Sequence, residues 1–268
     1  MSSRAGKRVK REVDRAQREA LKDEIERTRG SARREAAARA AAVQHRRGFG
    51  RFLFENGLTL AMLALFLLSF SGQVLAGRAT YNEELRQHGQ PAIGVVEYVK
   101  TGAFIEATAE NWESEFLQMA VFVLLTAFLY QRGSSESKRI EEPEPVDQDP
   151  REARNDPEAP WPVRRGRLAL AIYSHSLSIA LLTLFAVSFV AHAIGGARDY
   201  NQEQSRHGEA SVSTMAYVGT SRFWFESFQN WQSEFFSVAM LVVLSIWLRE
   251  RGSAQSKPVG AGDDETGE

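Results

Sequence analysis

Two long apolar segments without a formal charge restrict what this chain can fold into. Leu58 to Ala76 contains 19 such residues, and Leu177 to Gly195 contains another 19. As helices, they would each be about 28 Å long, close to the roughly 30 Å thickness of a bilayer hydrocarbon core. A buried helix of a soluble protein is seldom so long and so uniformly apolar. We therefore expect segments 58–76 and 177–195 to span a membrane.

These segments belong to a longer internal repeat. The stretch Asn111–Phe116, NWESEF, returns 119 residues later as Asn230–Phe235, NWQSEF. The same offset holds without a gap from Leu58/Leu177 through Lys138/Lys257. Each copy has a second, shorter apolar segment after this motif, and it reaches across the hydrocarbon core only if the motif is part of the helix. The pattern thus predicts further spans at about 112–131 and 231–249.

Composition divides the chain into five segments. The sequence predicts an all-α membrane protein whose four transmembrane helices come from a tandem parallel repeat of two-helix units, preceded by a basic helical tail. The linker is predicted to be disordered because Ile140 to Pro162 holds six of the eight prolines and eight acidic residues. The segments are a basic tail at 1–51, the first repeat at 52–138, an acidic proline-rich linker at 139–165, the second repeat at 166–257 and a disordered tail at 258–268.

Positive charge is distributed unevenly around the predicted spans. The two loops at 77–115 and 196–234 carry three lysines and arginines each, whereas residues 1–51 alone carry 16 against seven acidic residues. By the positive-inside rule, both termini and the linker are expected in the cytoplasm. A polar stretch of about 50 residues precedes the first span, so no cleaved signal peptide is expected. These features predict a multi-pass membrane protein.

The basic tail has two candidate partners besides the lipid bilayer itself. A solvated, partly helical segment of this charge suits a cytoplasmic protein partner or anionic lipid headgroups at residues 1–51. No aromatic residues are interleaved with its basic residues, which argues against nucleic-acid binding. The oligomeric state is left open by the sequence.

A polar motif follows each long apolar segment and contains the first binding candidates. Glu84 and His88 in the first copy, and Glu203 and His207 in the second, are four residues apart and would share a helix face. Such a pair suits a metal ion, but two ligands do not complete a coordination shell. The alternative is a polar contact before a helix-ending glycine. We expect no metal or other cofactor.

The NWxSEF motif supplies the other candidates. Trp112 and Trp231 are expected to anchor their helices at headgroup level, where an indole is favoured. Glu115 and Glu234 would lie at or just inside the outer boundary, as a cation- or proton-binding pair or as groups that stabilise the helix start. No catalytic residue is predicted, since the chain has no cysteine and shows no nucleophile–base set.

The motifs NWESEFLQ at 111–118 and RGSSESK at 132–138 resemble a family of uncharacterised bacterial multi-pass membrane proteins, named only as a domain of unknown function. The resemblance covers about residues 50–138 and 165–257 as two tandem copies. It implies a bacterial membrane location and supplies no activity or site residue. The expected function is therefore a non-enzymatic structural, accessory or stress-related membrane component. A small transporter or channel using the outer-edge carboxylates is the alternative.

Overall fold

The computed structural model describes residues 30, 33–34, 37–38, 41 and 46–267, and most of the predicted basic tail lies outside these residues. The described residues form helices and no strand. Two 3-10 turns, Pro145–Asp147 and Glu152–Asn155, lie in the linker. The α-helices of residues 46–267 are α1 Phe49–Glu55, α2 Gly57–Gln87, α3 Val95–Tyr98, α4 Gly102–Thr126, α5 Trp161–Arg165, α6 Arg167–Ser174, α7 Ser176–Arg206, α8 Thr214–Val218 and α9 Ser221–Leu244.

The chain divides into two compact units, Met1–Gln73 and Val74–Glu268. The described part of the first unit holds α1 and the apolar beginning of α2, where Leu58, Leu67 and Leu68 are exposed. The second unit holds the end of α2 and all the helices from α3 to α9. Large exposed apolar side chains are unusual on a soluble surface and are expected on a helix that faces lipid.

Two of the described helices, α2 and α7, are long and apolar enough to cross a membrane. Each has 31 residues, which corresponds to a helix of about 46 Å. The predicted spans 58–76 and 177–195 lie inside them, so the prediction of two long apolar helices is confirmed. Both helices continue beyond the apolar segment into the polar motif that follows it.

The polar ends of α2 and α7 are closed in the same way. Gly89 and Gly208 have φ values of 69° and 74°, a conformation that glycine adopts without steric cost. The N–H of Gln90 donates to the carbonyl of Leu85 at 2.8 Å, and the N–H of Glu209 donates to the carbonyl of Gln204 at 2.9 Å. These are Schellman closures, in which a left-handed glycine satisfies the last helical carbonyls.

The chain then returns along the end of its own helix. The side chain of Asn82 accepts from the N–H of Ile93 at 2.8 Å and donates to the carbonyl of the same residue at 3.1 Å. The side chain of Asn201 makes the same two hydrogen bonds with the backbone of Val212, at 2.7 and 2.9 Å. We call each such pair of hydrogen bonds an asparagine bracket. Each asparagine therefore fixes the segment that leads into α3 or α8.

Helices α4 and α9 begin well before the predicted spans at 112–131 and 231–249. Thr101 accepts a hydrogen bond from the N–H of Phe104, and Thr220 accepts one from the N–H of Phe223. A hydroxyl N-cap at these positions starts the helix in the polar segment that hydropathy alone leaves out. The helices end at Thr126 and Leu244, earlier than the predicted boundaries.

Glycines permit the close packing of α4 against α7. A methyl group on Gly195 would lie 2.6 Å from the backbone nitrogen of Glu106, and one on Gly102 would lie 2.7 Å from the carbonyl oxygen of Gly195. The two backbones are thus nearly in contact, as in the small-residue interfaces of membrane helices. This contact brings the polar first turns of α4 beside His192 of α7.

The linker and the C-terminal tail each contact the lysine that ends one repeat. Lys138 forms an ion pair with Asp147 at 2.6 Å. Lys257 donates to the backbone carbonyls of Gly262, Asp263 and Glu265 at 3.1, 3.2 and 3.0 Å. The predicted disorder of 139–165 and 258–268 stays a prediction, because these contacts describe positions and not mobility.

Candidate functional site

A buried polar cluster lies where α4, α7 and α9 meet. His192 Nδ1 is hydrogen-bonded to Glu113 Oε2 at 2.8 Å, and both side chains are 0% exposed. Trp231 donates its indole N–H to the other oxygen, Glu113 Oε1, at 3.0 Å. A carboxylate with two donors of this kind is satisfied as an anion. Glu113 of the first half is therefore held by two residues of the second half.

The contact with Glu113 determines how the imidazole of His192 is protonated. An ionised carboxylate only accepts hydrogen bonds, so Nδ1 carries the hydrogen. Nε2 then points away from Glu113 and lies 3.5 Å from Glu226 Oε2. Among the described residues, Nε2 of His192 has no hydrogen-bond partner although it is buried. The imidazole thus presents one unsatisfied nitrogen to a carboxylate.

Tyr217 joins Glu226 to a second carboxylate. Its hydroxyl oxygen lies 2.7 Å from Glu226 Oε2 and 3.1 Å from Glu106 Oε1. A phenol has one hydrogen, so it donates to only one of these groups, and the other contact requires a hydrogen on the carboxyl group. If both carboxyl groups were ionised, the Tyr217 hydroxyl could donate to only one of them and the other contact would lack a hydrogen. One of the two carboxyl groups therefore carries a hydrogen.

Electrostatics assigns the extra hydrogen to Glu106. Burial, with the nearby carboxylates of Glu226 and Asp199, raises the pKa of Glu106 to about 8. Burial acts in the same direction on Glu226, but its contacts with His192, Tyr217 and Arg222 prevail and lower the pKa of Glu226 to about 2. Glu106 therefore donates to the hydroxyl of Tyr217, which donates to the Glu226 carboxylate.

Aromatic rings cover the His192 side of the cluster, whereas 18% of the Glu226 side chain is exposed. The ring of Phe223 stacks on the imidazole of His192 with centroids 4.7 Å apart. Tyr217 packs edge-on against Phe223 at 5.7 Å, and both side chains are fully buried. A polar group enclosed in this way is not stabilised by water and depends on its protein contacts.

Arg222 connects the cluster to the surface near the polar end of α7. Its guanidinium donates to Glu226 Oε1 at 3.0 Å and to Glu203 Oε2 at 2.6 Å, and it lies 3.5 Å from Asp199 Oδ2. About a third of the Arg222 side chain is exposed. Polar contacts therefore continue from Glu226 through this guanidinium to the exposed Glu203.

The polar-motif candidates meet at that surface. Glu84, His88, Glu203 and His207 line one pocket of about 280 Å³ together with Asp199 and Arg222. In the first copy, His88 Nδ1 contacts the backbone oxygen of Glu84 at 2.9 Å rather than its carboxylate. The structure thus brings both copies of the motif together, and their binding role stays a prediction.

The NWxSEF candidates lie along α4 and α9. Glu115 is exposed and Glu234 is half-buried, and the two carboxylates are close enough to repel each other. Trp112 is exposed, whereas the indole N–H of Trp231 donates to Glu113. Their roles in binding and anchoring stay predictions, but Trp231 has a specific buried contact that an interface anchor does not require.

The carboxylates and the histidine of the cluster lie at positions where the two copies of the repeat differ. Where the second copy has His192 and Glu226, the first has Gln73 and Ala107. Where the first copy has Glu106 and Glu113, the second has Phe225 and Gln232. Spacing within one copy does not reveal this set, because its members come from three helices. The signal available in the sequence was that ionisable residues depart from the repeat at these positions.

These features define a class: an all-helical protein with two apolar helices of membrane-spanning length and a buried polar cluster. The family comparison agrees with this class. The chain belongs to a family defined by a domain of unknown function, DUF6766, whose model matches residues 49–268. The search of curated proteins and the search of solved structures give no match.

Proposed function

We propose that this chain is a non-enzymatic integral membrane protein, a structural, accessory or stress-related component of a bacterial plasma membrane. Four helices cross the bilayer as two tandem, parallel two-helix units, with both termini and the linker in the cytoplasm. The two long apolar helices, Gly57–Gln87 and Ser176–Arg206, support a membrane location. The excess of positive charge at the termini and the linker supports the orientation.

Matching local structures support the tandem arrangement. Helices α2 and α7 begin at Gly57 and Ser176 and end at Gln87 and Arg206, so both ends are displaced by the repeat offset. The asparagine brackets and the glycine closures recur at the same offset. In the motif that ends each copy, Gly133 and Gly252 have φ values of 84° and 85°. Equivalent residues thus form equivalent local structures in both halves.

The closed polar cluster is the observation that carries the non-enzymatic proposal. Glu113 and His192 are fully buried and bonded to each other, which suits a contact that locks the two halves together. A substrate would need to reach these groups, and Phe223 and Tyr217 cover them. Breaking one partner of such a pair leaves an uncompensated buried charge, so the contact specifies one arrangement of the helices. Any cellular activity then resides in the parts that face the cytoplasm.

We expect a cytoplasmic protein partner to bind residues 1–51, because this segment carries an excess of positive charge. Co-purification in mild detergent tests this part of the proposal, comparing the full chain with a variant that lacks residues 1–45. Loss of a co-purifying protein from the shortened variant is the expected result. Retention of the same partners contradicts the assignment to the tail. Flotation with vesicles of anionic and of neutral lipid distinguishes lipid binding by the same segment.

A small transporter is the second candidate, favoured by one observation. The outer pocket is lined by Glu203 and Arg222, and Arg222 also contacts Glu226 of the buried cluster, so polar groups continue from the surface inward. A proteoliposome flux assay for protons and common cations separates the candidates. The structural role predicts flux equal to that of empty vesicles. Flux that is present in the wild type and reduced by Glu226→Gln, but unchanged by Glu115→Gln, would instead establish transport through the cluster.

A further inference from the structure

We propose that Glu106, His192 and Glu226 form a binding site for a divalent transition-metal ion. One ligand atom from each of these residues lies within 4.8 Å of the others. A tetrahedral ion with bonds of about 2.1 Å separates its ligand atoms by about 3.4 Å. The 3.5 Å between His192 Nε2 and Glu226 Oε2 already matches this spacing. The inference does not depend on the number of membrane spans.

The orientation of the imidazole is the strongest argument for an ion. Glu113 holds a hydrogen of His192 on Nδ1, which directs Nε2 toward Glu226. Histidine ligands of metal ions are commonly arranged in this way, with a carboxylate on the nitrogen that does not bind the metal. Trp231 in turn holds the second oxygen of Glu113. The ring and its supporting carboxylate are therefore fixed before any ion binds.

His192 Nε2 lies 3.5 Å from Glu226 Oε2, and a cation shared by the two atoms makes this contact favourable. In the neutral imidazole, the lone pair of Nε2 faces a carboxylate oxygen, and both groups are acceptors. Nε2 is buried and has no hydrogen-bond partner in the described part of the chain. Only a proton on Nε2 or a metal ion between the two atoms converts this repulsion into attraction.

The donor set indicates the kind of ion. One imidazole nitrogen and two carboxylates favour Zn²⁺ and other first-row transition ions, whereas Mg²⁺ and Ca²⁺ prefer oxygen ligands alone. Three protein ligands leave a fourth position for water or for the Tyr217 hydroxyl. Sites with such an open position exchange their ligands more readily than fully protein-bound sites.

Zn²⁺ binding to the purified, tag-free full-length chain in detergent tests the site. After treatment with a chelator and reloading with Zn²⁺, elemental analysis should find about one ion per chain for the wild type. His192→Gln should lose at least tenfold in affinity, and glutamine is suited to this position because the other repeat has Gln73 there. Glu226→Gln should behave similarly. Glu113→Gln should weaken binding by about 10–100-fold, because it supports the ligand without contacting the ion.

Matched controls and a spectroscopic measurement distinguish the buried site from Zn²⁺ binding at the surface. His175→Gln and Glu158→Gln change the same residue types at exposed positions outside every candidate site and should bind Zn²⁺ like the wild type. If the buried-site variants do not fold, Co²⁺ titration of the wild type should still give the visible absorption of a four-coordinate nitrogen and oxygen site. No Zn²⁺ retention and no such Co²⁺ absorption would overturn the proposal in favour of a protonated His192. Equal binding by wild type and folded His192→Gln would overturn it by placing the ion elsewhere.

Discussion

Glu113 and His192 come from opposite halves of the chain and meet in complete burial, 2.8 Å apart. At the equivalent positions of the other copies stand Gln232 and Gln73, which carry no charge. The two halves thus share their helix starts, turns and brackets but not the charged residues of this buried contact. The polar cluster is a single asymmetric feature built on a repeated framework.

Loss of the Glu113 carboxylate should destabilise the protein strongly. Glu113→Ala removes the acceptor of both His192 and Trp231 and is expected to cost about 3–5 kcal/mol, as for other buried pairs that lose one partner. Gln232→Ala changes the equivalent exposed position and should cost less than about 0.5 kcal/mol. Chemical denaturation in detergent measures both values. A similar cost at the two positions would contradict the importance of the buried contact.

Close packing of α4 on α7 predicts a different response at two glycines. Gly195→Ala places a methyl group 2.6 Å from the backbone nitrogen of Glu106, so the helices must separate. Overpacking of this kind costs about 1–3 kcal/mol or more. Gly72→Ala has no atom within 4 Å of the added methyl and should stabilise the helix by about 0.5–1 kcal/mol. Melting temperatures in detergent should therefore shift in opposite directions, and a common direction would contradict the packing.

Local patterns in the sequence predicted the long apolar helices and the glycines that end them. Their signals lie within one segment, because hydropathy and a left-handed glycine act over a few residues. The predicted spans at 112–131 and 231–249 leave out the first turns of α4 and α9, since the Thr101 and Thr220 caps precede the apolar part of each helix. The Glu113–His192 contact was not predicted, because its residues are 79 positions apart and only helix packing brings them together. Glu84 and His88 were grouped correctly within one motif, but their proximity to Glu203 and His207 also depended on packing.

The same substitution at equivalent positions of the two repeat copies should lower the stability of the protein by similar amounts. Asn82→Ala and Asn201→Ala each remove two hydrogen bonds to the returning backbone, so each should cost about 1–3 kcal/mol, with the two values within about 1 kcal/mol of each other. Asn56→Ala removes a single exposed hydrogen bond and should have little effect. Thermal unfolding of the three variants compares them directly. A large cost at only one bracket would contradict the structural equivalence of the two halves.

The contacts of Lys257 should hold the C-terminal tail in place and protect it from proteolysis. Lys257→Met removes the ammonium group that contacts three carbonyls of residues 262–265, which should release the tail and increase proteolysis after Glu265. Lys138→Met changes the equivalent lysine, whose partner is Asp147, and should leave cleavage at the tail unchanged. Limited digestion followed by mass spectrometry measures the cleavage. Identical digestion of both variants and the wild type would show that Lys257 does not hold the tail.

The orientation of the two halves in the membrane is the central claim, and single-cysteine labelling measures it most directly. The chain has no cysteine, so each introduced thiol is the only one that reacts. With a membrane-impermeant maleimide on intact cells, His88→Cys and His207→Cys should both be labelled. Gln148→Cys and Gly262→Cys should be labelled only after the cells are permeabilised. Protection of both histidine positions, or labelling of only one of them in intact cells, would contradict two parallel units that each cross the membrane twice.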